Sequence, residues 1–440
     1  MKWFWVLSSF VFCAFLLRAG LESSYLLPLD NEAIRYATEP LTDSVTALQA
    51  RLKAGELKLE FDPQFGYLPA VLRELKIPVS SQVLVFSKTS FQSPRISPRT
   101  PRALYYNDQA AVGFVRSGDV IEVLSVDPRE GAIFYTLDQE KTDKPRFARR
   151  EQCLQCHVSS GTLGVPGEVV RSVHPDNTGM PVFQAGTFVT DHRSPLKERW
   201  GGWYVTGTHG SQMHMGNVVA ADRETGELDV ARGANVTDLK WKFDTGAYLS
   251  PHSDIVSLMT LEHQARMVNL ITRVGWETRM ALDSQAGINR ALKQPENEMS
   301  ESTKRRIASA SEELLQYMLF TEETPLTSEI RGTSNFTREF PKQGPRDKKG
   351  RSLRDFDLKT RMFQHPCSYL IYSEQFDVMP DEAKQAVYLR LWEVLTGKDK
   401  TAKYARLSDA DRKGILEILL DTKKGLPDYW KEAAVAFPAR

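Results

Sequence analysis

Cys153, Cys156 and His157 have the most chemically specific spacing in this 440-residue chain. They stand in the run Glu151-Gln152-Cys153-Leu154-Gln155-Cys156-His157. Two thiols three positions apart can each add to one of two vinyl groups on the edge of a porphyrin. The residue that follows then directs an imidazole at the iron. C-x-x-C-H is thus the attachment signature of one covalent haem c, with His157 as the proximal ligand. Four Cys and eight His scattered at random over this length would produce the pentapeptide in roughly one of every one to two thousand chains. Three other chemistries use the same residues. A thioredoxin-type pair wants a strand-to-helix junction in a βαβ unit, and the flanks here do not alternate that way. A Cys153–Cys156 disulfide is compatible with an exported chain. A zinc site needs two further ligands, which His365 and Cys367 would have to supply from an unusual H-x-C pair.

The sixth position of such an iron decides function. A second His or Met closes it for electron transfer, whereas an open face admits oxygen, peroxide or another small ligand. His and Met are densest in residues 208–217, where His214 is the first distal candidate and Met213 or Met215 are alternatives. In an extended backbone His214 would face one way and the two Met the other, and Gly210 and Gly216 would let the chain approach a flat cofactor. His263, on an apolar helical stretch, is the main rival; His174, His192, His209, His252 and His365 complete the set. An open or water-ligated iron is the remaining alternative. Trp200, Trp203 and Tyr204 would stack on the porphyrin or pack a core, and Arg171 and Arg199 would reach its carboxylates or lie on the surface. The basic run Lys342, Arg346, Lys348, Lys349, Arg351 and Arg354 would dock an acidic partner or form a solvated linker. No Ser-His-Asp spacing, phosphate loop or H-E-x-x-H run accompanies these residues.

The elements that must position the motif follow from periodicity. Residues 43–57 read as a helix. A period of two over 81–137 predicts strands at 82–86, 103–106, 111–115, 120–124 and 132–137, with turns at 117–119 and 127–131. A second strand-rich block spans 181–231, with a hairpin turn at 222–227. Beyond Trp241 the pattern is helical: a helix capped by Ser253 and running through Leu270, another over 302–320, one opened by Pro380, and one capped by Ser408. Residues 331–354 lack any period and read as a basic loop. The expected organisation is an α+β protein, with a β-rich haem-binding region at 23–240, a helical region at 241–330, the loop, and a helical C-terminal region at 355–440. The two halves are expected to pack together.

Composition sets the class. Hydrophobic residues are 41% and charged residues 26%, a globular balance. Lys plus Arg number 57 against 56 Asp plus Glu, a net charge of +1, without the basic excess of a nucleic-acid binder. Four Cys exclude a disulfide-stapled scaffold. Residues 1–22 read as an export signal, with Lys2 ahead of an apolar run from Trp3 to Leu17; an uncleaved N-terminal anchor is the alternative. Cys13 follows Phe12, where a lipoprotein signal needs a small residue. The body is expected outside the cytoplasm, in the periplasm, or anchored to the inner membrane and facing it.

At Cys153 to His157 the chain resembles the c-type cytochromes. Strands rather than a helix precede the motif, Gly161, Gly164 and Gly167 follow it, and the chain is several times longer than a small cytochrome c. The all-α cytochrome fold is therefore not expected. With strings such as Trp200-Gly201-Gly202-Trp203-Tyr204 and Pro366-Cys367-Ser368-Tyr369-Leu370, the chain is similar to large single-haem proteins of environmental bacteria. That similarity brings no activity with it; the expected function of the attached haem is electron transfer between redox partner proteins. A peroxidase- or oxidase-like haem enzyme, or a haem-based sensor, is the alternative if the distal face is open.

Overall fold

The computed structural model describes residues 26–431. The predicted N-terminal signal lies outside them, and among the described residues no helix is long and apolar enough to cross a membrane. Strands β1 (Val83–Val85), β2 (Arg102–Tyr106), β3 (Ala110–Phe114), β4 (Val120–Asp127), β5 (Gly131–Asp138) and β6 (Phe147–Arg149) form an antiparallel meander. β7 (Arg171–Val173) and β8 (Thr187–Val189) pair with each other, and β9 (Trp203–Tyr204) joins the main sheet beside β1. The turn between β4 and β5 is made by Asp127, whose Oδ1 accepts the amides of Arg129 and Glu130 at 2.9 Å. Gly131 follows at φ +84°, a conformation that glycine adopts without steric cost.

Both faces of the sheet are covered, which is why β5 is apolar along nearly its whole length. One face (Leu84, Tyr105, Ile121, Ile133) packs on the N-terminal segment through Ile34, Val45, Tyr67 and Val71. The other (Val85, Tyr106, Leu124, Phe134) shares a core with the helical half. Here a 38-residue helix, Ile255–Leu292, is capped by Asp254, whose carboxylate accepts the amides of Val256 and Ser257. It packs against helices Glu301–Met318 and Asp381–Leu395, and helix Asp409–Thr422 packs on the latter. The segment before the long helix is pinned to the sheet: Gln82 Nε2 donates to the carbonyls of Ser250 and His252, both at 2.7 Å. β10 (Gly207–Thr208) pairs with β11 (Arg331–Gly332), tying the halves again.

The α+β architecture is as expected, and several elements are not. Ser253 does not cap the long helix. Its hydroxyl is spent on the sheet, accepting from the Leu84 amide and donating to the Tyr204 carbonyl, so the next residue caps instead. The helix also continues 22 residues past Leu270, because it is buried on most sides and its apolar stripe dissolves into an all-round pattern. Residues 331–354 are not a solvated loop. They include helix Phe336–Glu339 and bury Phe336, Phe340 and Leu353. The 181–231 block forms three very short strands, and no strands flank the 222–227 turn.

Candidate functional site

The C-x-x-C-H motif follows β6 directly. A 3-10 turn, Glu151–Cys153, leads into a single helical turn, Leu154–His157. Arg150 fastens this corner to β5: its amide donates to the Phe134 carbonyl and its Nε to Thr136 Oγ1, each at 2.8 Å. Cys156 is exposed and Cys153 half-buried; both are free thiols, so they form no disulfide with each other. Burial and the nearby Glu122 carboxylate push the Cys153 thiol up, the opposite of a thioredoxin-type nucleophile.

His157 Nδ1 lies 2.8 Å from the Gly167 carbonyl oxygen. A carbonyl can only accept, so Nδ1 carries the proton and Nε2 keeps its lone pair. This is the arrangement that orients an iron-binding imidazole. The Gly167 amide returns a bond to the His157 carbonyl at 3.0 Å, and the ring packs on Phe134 with centroids 4.6 Å apart. Burial lowers the basicity of His157 and keeps the ring neutral.

Cys153, Cys156 and His157 all line one cavity of about 710 Å³, within the range of cofactor-sized sites. Its back wall is the helix-facing side of the meander, where alternate residues Leu104, Tyr106, Ala111, Leu124 and Phe134 point inward; Val170, Trp203 and Leu261 close it. Cations stand on the same walls: Lys88, Arg102 and Arg150. Arg102 pairs with Glu122, and its buried Nε has no partner. Gly113 makes room for that guanidinium, since a Cβ there would collide with it. Two thiols, one imidazole with a free Nε2, apolar walls and cations for two carboxylates form a donor set that fits a covalent haem.

The distal candidates do not line this cavity. His214 is buried against Trp200 and His209, with ring centroids 5.3 and 4.7 Å away, and its Nδ1 accepts the Gly216 amide at 3.0 Å. Met213 is exposed, while Met215 is buried with its sulfur 3.6 Å from Ser172 Oγ. The backbone is irregular here, so the alternation expected of a strand is lost. His263 spends both nitrogens elsewhere, on His192 Nδ1 at 2.9 Å and Ser368 Oγ at 2.8 Å, and stacks with Phe320. Among the described residues His157 is the sole His on the cavity wall, and no Met lines it.

Of the aromatic and basic candidates, Trp203 is on the wall, with its indole donating to the Arg171 carbonyl at 2.9 Å. Trp200 and Tyr204 are core residues. Arg199 is buried in an ion pair with Glu262 at 3.1 Å, and Arg171 is exposed away from the cavity. The basic run is largely neutralised from within: Arg346 pairs with Asp355, Lys349 and Arg351 with Glu417, and Arg354 with Asp108. No group of three or more His, Cys, Asp or Glu capable of holding a metal ion occurs among the described residues, as a zinc site would require. Cys367 is fully buried, its thiol pushed up to about 12.

Sequence reasoning missed Lys88, Arg102, Glu122 and Glu168 as wall residues. The available signal was a pair of charged residues, Arg102 and Glu122, at inward positions of otherwise apolar strands. No family model matches the chain, and no curated protein or solved structure is found to be similar to it.

Proposed function

We propose that the protein carries one haem c, bonded through Cys153 and Cys156, ligated by His157, and housed in the cavity between the meander and the long helix. The observation that carries this reading is the convergence of all three motif residues on the wall of that cavity, with His157 Nδ1 committed to the Gly167 carbonyl. When bound, haem supplies one-electron redox chemistry and a coordination position for a small ligand. The protein's own residues divide the remaining work. Phe134 and Gly167 hold the imidazole plane, Arg102, Arg150 and Lys88 offer charge to the two carboxylates, and Leu104, Leu124, Val170 and Leu261 exclude water.

The wall composition bears on what the iron does. With His157 as its one described His and no described Met, the cavity favours a haem oxidoreductase or ligand-binding protein with an open distal side. The electron-carrier reading draws support from exposed Cys156, which brings the attachment edge to the surface where a redox partner would dock. Export to the periplasm accords with the N-terminal signal pattern and with c-type attachment, which takes place beyond the bacterial inner membrane. The test is the visible spectrum of protein made with a bacterial haem-attachment system. A high-spin ferrous form that takes up carbon monoxide is expected; low-spin bands indifferent to carbon monoxide would return the protein to the carrier class.

A further inference from the structure

The floor of the cavity is graded along its strands. In register across β5, β4, β3 and β2, Phe134, Leu124, Ala111 and Tyr106 form an apolar row, and the His157 ring packs at its Phe134 end. Two residues further along the strands, about 7 Å away, Thr136, Glu122, Gly113 and Leu104 form a second row facing the same space. This second row carries the charge. Arg150 donates through Nε to Thr136 Oγ1 at 2.8 Å, and the Arg102 guanidinium lies across Gly113, where a Cβ would collide with it.

The charges on the walls are unevenly matched. Glu122 is spent within the chain: it pairs with Arg102 and accepts from Ser90 and Gln92 at 2.9 and 2.8 Å. Lys88 and Arg150 line the cavity and form no ion pair with any described residue. Glu168, the other carboxyl on the wall, is 7% exposed and makes no hydrogen bond or ion pair with any described residue. Burial pushes it up to about 7, so below neutrality it is largely uncharged. Two cations then stand beside an apolar floor without a counter-charge.

The walls are braced from within the chain. Tyr106 donates to the Ser257 carbonyl at 2.7 Å, Trp203 donates to the Arg171 carbonyl at 2.9 Å, and the same strands bury their other face against the N-terminal segment. An apolar floor with unpaired cations at one end suits a flat apolar ring bearing acidic arms.

We propose that the folded chain is a receptor for free dicarboxylic tetrapyrroles, binding them in this cavity without thioether bonds or iron, with Lys88 and Arg150 holding the carboxylates. The inference rests on the cavity being a tetrapyrrole site, as in the haem reading above, and adds that recognition does not need attachment. No covalent bond is made or broken. The ring displaces water from the row of Phe134 and Tyr106, and its carboxylates supply the counter-charge that Lys88 and Arg150 lack.

Iron-free protoporphyrin IX, titrated into the Cys153→Ala, Cys156→Ala double variant slightly below neutral pH and followed by porphyrin fluorescence, tests the proposal. Saturable binding of one porphyrin per chain is expected. An analogue with two ammonium arms in place of the carboxylic arms should bind about tenfold more weakly. Lys88→Gln and Arg150→Gln, each added to the double variant, should weaken the dicarboxylate about tenfold and leave the ammonium analogue no weaker than before. If Arg150→Gln disturbs the fold, read by circular dichroism, Lys88→Gln decides, because the Lys88 side chain has no partner among the described residues. Absence of saturable binding, equal affinity for the two porphyrins, or undiminished affinity in Lys88→Gln overturns the proposal. A double variant that binds no porphyrin, beside a parental chain that carries covalent haem, overturns it and leaves the haem reading standing. A double variant that binds porphyrin with the stated preference, beside a parental chain without thioether-bound haem, supports it and overturns the covalent reading.

Discussion

Two regions of this molecule bury histidines, and they use them in opposite ways. At the cavity, His157 gives one nitrogen to a backbone carbonyl and turns the other toward open volume. Deeper in the helical half, His263 has both nitrogens occupied and the rings of Tyr317, Phe320, Phe363 and Tyr369 packed round it. His214 is similarly sealed beneath Trp200. Burial depresses the basicity of all three, so a neutral imidazole does not distinguish a ligand from a core residue. Access for the lone pair does.

The largest expected contrast comes from replacing His157. His157→Ala should keep haem attached through both thioethers yet lose its normal visible spectrum, and added imidazole should restore it. A spectrum unchanged by the substitution would remove His157 from the iron. His263→Ala should act in the other direction: stability falls by about 2–3 kcal/mol, read by denaturant unfolding, while the spin state stays put. His214→Ala should cost less, about 1–2 kcal/mol, again without a change in spin state or carbon monoxide binding. If either variant alone changes the spin state or the carbon monoxide binding of the iron, that histidine reaches the haem and the division between the two regions fails.

The two regions also respond to pH with opposite signs. His214 and His263 fall from an ordinary 6.5 to about 3. The unfolded chain therefore binds more protons, and stability is lost as pH drops from 6.5 toward 3. Glu168 rises from 4.5 to about 7. There the folded state binds more protons, so its contribution is full below 4.5 and is lost as pH climbs toward 7. In the haem-free chain, Glu168→Gln should flatten the slope between pH 4.5 and 7, and His263→Gln should flatten it on the acid side. A Glu168→Gln chain with the parental slope would contradict the buried, unpartnered state of that carboxyl.

Much of the meander was legible because it is local: the period of two and the Asp127 to Gly131 turn mark β4 and β5 to within a few residues. The motif was legible because its chemistry is local too. The walls of the cavity were not. Trp203 and Leu261 arrive from far along the chain, and whether Glu168 meets a counter-ion depends on what those segments bring. The density of His and Met at 208–217 pointed to a ligand, yet the irregular backbone there buries both His214 and Met215 away from the cavity. Periodicity cuts the long helix short for a related reason. A helix packed on most sides presents no stripe to follow, and Ser253 is spent on the sheet rather than on the cap.

The central claim is that Cys153 and Cys156 hold haem covalently on the wall of this cavity. Its most direct test is the intact mass of the acid-denatured chain after expression with a bacterial haem-attachment system. The account predicts the mass of one haem added to the polypeptide, abolished in the Cys153→Ala, Cys156→Ala double variant. A colourless chain of unmodified mass, or haem that passes wholly into organic solvent on denaturation, would contradict it.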